Sequence, residues 1–178
     1  MSVKHDDSGW KQLKETLTEL ANKRVLVGVP EDKAQRKDGK INNAQIGYLN
    51  EFGSPSQNIP ARDHLRVGVK AAKDEVAKCL EKGAKSVLKS GNIDDAIGYF
   101  DAAGEVASGS VKKLIADGLS PELSLSTIKQ RERSNASRKR NVKKQKAAGT
   151  YSISQWKPLI NTGEYRKSIT SVVVDKGK

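Results

Sequence analysis

The chain reads as an α+β fold, with a small antiparallel or mixed sheet packed against two long helices and an N-terminal helix, and with an extended basic loop. Three observations predict it. Apolar residues recur at threes and fours over long stretches of the middle of the chain, the period of a helix buried along one stripe. Two short β-branched runs, one toward each end, have the composition of strands. Residues 134–150 are basic and polar with almost no apolar side chain, too little to bury for the segment to order itself alone. The whole, residues 1–178, is read as one domain, with 134–150 as an arm within it.

Residues 8–21 carry Trp10, Leu13, Leu17 and Leu20 on one stripe, so they form a helix, with Asp7 or Ser8 placed to cap it. Arg24-Val25-Leu26-Val27-Gly28-Val29, stopped by Pro30, is a strand. Residues 31–43 are charged and read as a loop, with Lys37-Asp38-Gly39-Lys40 at a hairpin tip. Residues 44–52 form a short helix with Ile46, Leu49 and Phe52 apolar, and Gly53 supplies the left-handed residue that ends it.

Residues 63–89 predict one long helix, with Leu65, Val69, Ala72, Val76, Leu80 and Val87 on its apolar side. Ser90-Gly91-Asn92 breaks the pattern, and a second long helix follows over 94–116, with Gly118 at its end. That second helix is rich in small residues: Gly98, Ala102, Ala103, Gly104, Ala107, Ser108 and Gly109. Each interior glycine costs about 1 kcal/mol against alanine. Close approach of another backbone, within the subunit or between subunits, is the expected compensation. A short helix through Arg133 starts at Ser126 or Thr127, and Ser168-Ile169-Thr170-Ser171-Val172-Val173-Val174 is the second strand, pairing with Val25 to Val29.

Composition narrows the function. The apolar fraction is 35%, so the core is thin, which favours oligomerisation or a large partner surface. No run of eighteen apolar residues occurs, and MSVKHDDSGW lacks the apolar stretch of a signal peptide, so neither membrane nor secretion is expected. Cys79 is the one cysteine, which excludes a disulfide framework and suits a reducing cytoplasm. The net charge is +12, and nine Lys/Arg against one Glu between positions 129 and 146 hold +8 of it. Arg131, Arg133, Arg138, Lys139, Arg140, Lys143, Lys144 and Lys146 are therefore candidates for contact with DNA phosphates or with an acidic protein. Aromatic residues are missing from the segment until Tyr151, which argues against a single-strand stacking platform.

Catalysis finds little support. The two histidines, His5 and His64, are far apart, and His64 is expected to face solvent or make a cap contact. There is no G-x-S-x-G nucleophile elbow and no phosphate-binding glycine loop. Asp94-Asp95 falls at a helix start, where it offsets the dipole. No catalytic residue, metal or cofactor is assigned.

Three stretches together carry a resemblance. YLNEFGSPSQNIPARDHLR resembles the HEFG…IPARPFLR signature of small bacteriophage tail proteins, LSLSTIKQRER resembles their LSPSTI element, and KPLINTGEYRKSITSVVV resembles their PLIDTGRLRRSI ending. In this order they resemble the phage virion-morphogenesis, or tail-completion, family. The positions that carry the likeness are Glu51, Phe52, Gly53, Ile59, Pro60, Ala61, Arg62, Leu65 and Arg66, then Leu159, Ile160, Thr162, Gly163, Arg166, Ser168 and Ile169. Three departures stand out: Asp63-His64 where the family often has Pro-Phe, Tyr165 in place of an aliphatic residue, and the basic stretch from Asn135 to Lys146, which reads as an enlarged loop. The resemblance implies a non-enzymatic virion protein at the head–tail junction, made in the host cytoplasm. It would be a ring subunit, a hexamer by likeness, beside connector, tail-terminator and tail-tube proteins. A terminator or neck adaptor is the alternative within that junction, and a basic nucleic-acid-binding protein or a small hydrolase the alternatives outside it. On this reading the motif residues are structural. Phe52 anchors the short helix in the core. Arg62 pairs with Glu51 or bonds loop carbonyls. Thr162-Gly163 turns the chain into a short helical step before the last strand.

Overall fold

The computed structural model describes residues 8–36 and 41–176. His5, Asp7, the Ser8 side chain and the tip at 37–40 lie outside them. The architecture is α+β, as the apolar periodicities predict: mostly helix, with one two-stranded antiparallel sheet.

At the centre is α6, Ile97–Asp117. Phe100, Ala103, Gly104, Ala107, Ser108, Val111 and Ile115 are buried along it, a spacing of three and four that gives one continuous stripe. The sheet lies on this stripe. Strand β1, Lys23–Gly28, pairs with β2, Thr170–Asp175, in a register that sets Val25 opposite Val173 and Leu26 opposite Val172. Alternation then decides the faces. Val25 and Val173 pack with Phe100 and Val87, whereas Leu26 and Val172 remain exposed on the outer face. Lys23 and Asp175 close the end of the ladder with an ion pair at 2.8 Å.

The small residues of α6 divide into two kinds. A Cβ on Gly104 would lie 2.3 Å from the Ser171 hydroxyl oxygen, so the absent side chain is what lets β2 sit down on the helix. Gly98 and Gly109 face open space. Close packing within the chain therefore accounts for Gly104 and not for the other two. A glycine outside the expected set does the same work: a Cβ on Gly68 would lie 2.7 Å from Val111 Cα, and the Ser110 hydroxyl donates to Gly68 O at 2.7 Å.

The helix expected over 63–89 is two. α4, Leu65–Ala71, and α5, Lys73–Ser90, meet at buried Ala72, whose φ and ψ of −94° and 6° leave the α region. Asp74 and Glu75 in the first turn of α5 suit a new helix start. Both pieces pack on α6. Gly91, with φ +74°, ends α5, and Asn92 caps the 3-10 turn Ile93–Ala96 that leads into α6, so α6 starts later than the periodicity suggests.

N-terminal helix α1, Ser8–Asn22, forms as expected but buries little of its stripe. Leu20 reaches the core, while Trp10 is 68% exposed and Leu17 is exposed too. Its buried anchor is Thr16, whose hydroxyl lies 2.9 Å from Gln12 O in the preceding turn and 3.3 Å from Gly91 O outside the helix. The charged stretch after β1, expected as loop, contains one helical turn, α2, Glu31–Ala34. α3, Asn43–Phe52, follows with a full capping box from Asn42 and Gln45.

Phe52 is not a core anchor. It is 68% exposed and stacks on exposed Tyr48 with ring centroids 4.9 Å apart. Ile46 holds the core side of α3, and a residue six positions on lies about 120° round the helix.

The largest correction concerns 134–150, expected as an extended arm. It contains α8, Ala136–Ala147, which follows α7, Leu125–Arg133. The reason is anchoring from outside the segment. Val142 is buried, Asn135 caps the helix by accepting from Arg138 N at 2.7 Å, and side chains at both ends bond to neighbouring segments. The cap of α7 is Ser124 and not Ser126 or Thr127. A last short helix, α9, Glu164–Ser168, feeds β2 after the Thr162-Gly163 turn, as expected. Among the described residues no helix is long and apolar enough to cross a membrane.

Candidate functional site

The stretch 51–66 meets the third motif stretch at one joint, and Glu51 is its hub. From the last turn of α3 its carboxylate reaches the start of α4. Oε2 accepts the backbone N–H groups of His64 and Leu65, each at 2.9 Å, and Oε1 accepts that of Arg66 at 3.1 Å. A helix start exposes N–H groups with no partner inside the helix. No side chain at His64 caps α4 locally, so a charge from another helix does it, and negative charge there also suits the dipole.

His64 is fully buried, contrary to the expectation of a solvent or cap position. Nδ1 lies 2.7 Å from Arg62 O and 2.9 Å from Glu51 Oε2. A carbonyl and a carboxylate only accept, so Nδ1 carries a hydrogen. In the neutral ring Nε2 is then an acceptor, and the Tyr165 hydroxyl donates to it. The two rings meet edge-on, centroids 5.5 Å apart and planes at 72°. Burial first, and the Glu51 charge second, push the Tyr165 phenol above its ordinary pKa, so it keeps its proton. Gly47 leaves the room: a Cβ there would lie 2.9 Å from the Tyr165 hydroxyl oxygen.

Arg62 holds the loop that leads into the second motif, which begins at Leu123. Its N–H donates to Asn50 O at 2.6 Å, Nε to Pro121 O at 2.7 Å and Nη2 to Glu122 O at 3.2 Å. Of the two partners the sequence allows, the loop carbonyls take it. Gly53 is required by both conformation and space, with φ +77° and a Cβ position 2.8 Å from Ala61 N. Between them the main chain bridges Ser54 to Ile59, which folds 54–59 into a tight loop. Leu65 packs with the core, whereas Pro60 and Ala61 are exposed. In the third motif, buried Ser168 donates its hydroxyl to Tyr165 O at 2.8 Å, Thr162 accepts from Glu164 N at 3.4 Å and Arg166 is half-buried.

The basic residues separate into two groups. Arg131, Arg138 and Lys146 are structural. Arg131 Nη1 donates to Lys157 O and Ile160 O, each at 3.0 Å, and its pKa is lowered by burial and then by the charges of Arg138 and Arg62. Arg138 donates to Asn161 Oδ1 at 2.8 Å and Asn161 O at 3.1 Å, with its guanidinium 5.8 Å from the Trp156 ring centroid. Lys146 pairs with Glu132 at 3.3 Å and covers the Tyr151 ring. Arg133, Lys139, Arg140, Lys143 and Lys144 are exposed, and their side chains make no hydrogen bond or ion pair with a described residue.

Sequence reasoning missed the His64–Tyr165 pair, yet a signal was there. Both positions, like Asp63, depart from the motif pattern that the sequence resembles, and they are each other's partners. A polar pair stands where an apolar pair is expected. Among the described residues, no three His, Cys, Asp or Glu side chains converge in a way that could hold a metal ion. No family model matches the chain, and neither a curated protein nor a solved structure matches it.

Proposed function

We propose that this chain is a structural virion protein that completes a phage tail and joins it to the head as a subunit of a ring. One observation carries the reading. Three motif stretches that resemble the tail-completion family, spread from residue 48 to residue 174, are tied together, the first to the third through His64 and Tyr165 and the second to the third through Arg131, which donates to Lys157 O and Ile160 O. A scattered set of matching residues that turns out to be one structural unit is what a shared scaffold produces. The polar atoms of Glu51, Arg62, His64 and Tyr165 are taken up in holding the fold together. The broad open cavity of about 830 Å³ beside it is lined by Phe52, Ile59, Pro60 and Leu123, and its hydroxyls, Ser124 and Thr127, bond each other at 2.9 Å. This arrangement offers no activated nucleophile.

The surface supports a subunit that is covered in use. Trp10 and Leu17 on α1, Tyr48 and Phe52 on α3, and Leu26 and Val172 on the sheet are exposed on three different elements. A head-to-tail ring needs two unlike patches on each subunit. Both strands of the sheet also have one unpaired edge, which a neighbour can cover. The tail-terminator or neck-adaptor role at the same junction uses the same features.

Particles of the phage that encodes the chain test the reading. Mass spectrometry of purified virions is expected to find the polypeptide, and a reconstruction to locate it as a ring between head and tail. Infectious particles that lack it would overturn the proposal.

A further inference from the structure

We infer that the outward face of α8 is a binding surface for the phosphate backbone of duplex nucleic acid. This goes beyond the tail reading and does not depend on it. The surface is Lys139, Arg140, Lys143 and Lys144, all exposed and all without a described partner. At 100° per residue these four lie on one arc of about 140°, on the side away from buried Val142. Ala136 and Ala147 fall in the middle of that arc, so no bulky side chain holds a flat polyanion away. The four span about 8 Å along the axis, at 1.5 Å per residue.

The helix shows why this face needs a partner. It contains no acidic residue. Lys139 with Lys143 and Arg140 with Lys144 stand at i,i+4, where like charges destabilise a helix by a few tenths of a kcal/mol each. Arg138, Lys139 and Arg140 also crowd positive charge into its first turns, against the dipole. On the inner side, by contrast, each cation has a partner: Arg138 has Asn161, and Lys146 has Glu132. A polyanion relieves on the outer face the repulsion that carboxylates and carbonyls relieve on the inner one.

Duplex fits better than single strand. Tyr151 is half-buried beneath Lys146 and Trp156 lies under Arg138, so neither offers a free ring for base stacking. The cationic arc holds only Lys, Arg and Ala, with no Asn or Gln to pair with adenine, and its charges meet phosphate first, so contact with the backbone dominates.

The test is fluorescence anisotropy of a labelled 30-base-pair duplex with the full chain between 50 and 200 mM KCl. Four phosphate contacts give a log–log salt slope near −3.6 and a roughly 150-fold weakening across that range. Replacing Lys139, Arg140, Lys143 and Lys144 together by Gln is expected to bring the slope close to zero with circular dichroism unchanged. If that variant does not fold, Lys143→Gln alone reports, with a slope smaller by about 0.9. A control with the same charge loss replaces Lys70, Lys73, Lys78 and Lys82, exposed on α4 and α5, and is expected to bind within about threefold of the parent. Equal loss in the control, or undiminished binding in the α8 variants, would overturn the inference. So would displacement of the duplex by polyglutamate at equal charge concentration, which would assign the face to an acidic protein.

Discussion

The joint around Glu51 and the helix α8 are the two polar concentrations of this molecule, and they are built in opposite ways. In the joint, four polar side chains are spent inward: Glu51 on three backbone N–H groups and His64, Arg62 on two carbonyls, His64 on Tyr165. In α8 only the inner half is satisfied, and four cations are left outward. Charge that is buried and paired fixes geometry, and breaking one partner exposes the cost of the other. Charge that is exposed and unpaired contributes little to stability and is free to bind. The difference separates residues that hold this protein together from residues that can meet something else.

Substitutions in the joint should therefore act on stability, and strongly. His64→Ala removes a fully buried ring, leaves the Tyr165 hydroxyl without its acceptor and strips one partner from Glu51. Urea unfolding should show a loss of about 3–4 kcal/mol; a loss under 1 kcal/mol would mean that the joint is not closed as described. Gly53→Ala forces a Cβ into a φ of +77° and against Ala61 N, and should lose about 2–3 kcal/mol in the same measurement.

Smaller effects belong to α8. Asn135→Ala deletes its cap and should lower thermal stability by about 1 kcal/mol, with reduced helix content by circular dichroism. Glu132 gives the smallest effect, and a pH-dependent one. Its pKa is held below the ordinary 4.5, first by the Tyr151 hydroxyl and then by Lys146 and Arg133, against a partial opposing effect of burial. A carboxylate depressed in the folded state contributes stability above its unfolded value and loses it as pH falls through the folded one. Glu132→Gln should lower stability modestly at pH 7, and the difference from the parent should shrink as pH falls below about 4.5, which flattens the acid limb.

Much of this was legible in the residues, for identifiable reasons. Strand pairing followed from two β-branched runs, and the Gly53, Gly91 and Gly118 helix ends from position alone. Phe52 was misread because hydrophobicity does not say which side of a short helix meets the core. The single 63–89 helix was misread because an apolar stripe continues across Ala72 while the backbone does not. Residues 134–150 looked unable to fold because their own apolar content is one valine and three alanines. Their anchors, Asn161, Trp156 and Glu132, lie in other segments, which composition of the segment cannot reveal. His64 and Tyr165 were visible only as two separate departures from a pattern, a hundred and one residues apart.

That pair offers the sharpest test. In a double-mutant cycle by urea unfolding, His64→Phe and Tyr165→Leu should each destabilise alone, because each leaves a buried polar group unmatched. Together they restore an apolar pair, so the double variant should be more stable than the sum of the singles predicts, by about 1–3 kcal/mol. Simple additivity would contradict a coupled joint and leave His64 and Tyr165 as two unrelated buried residues.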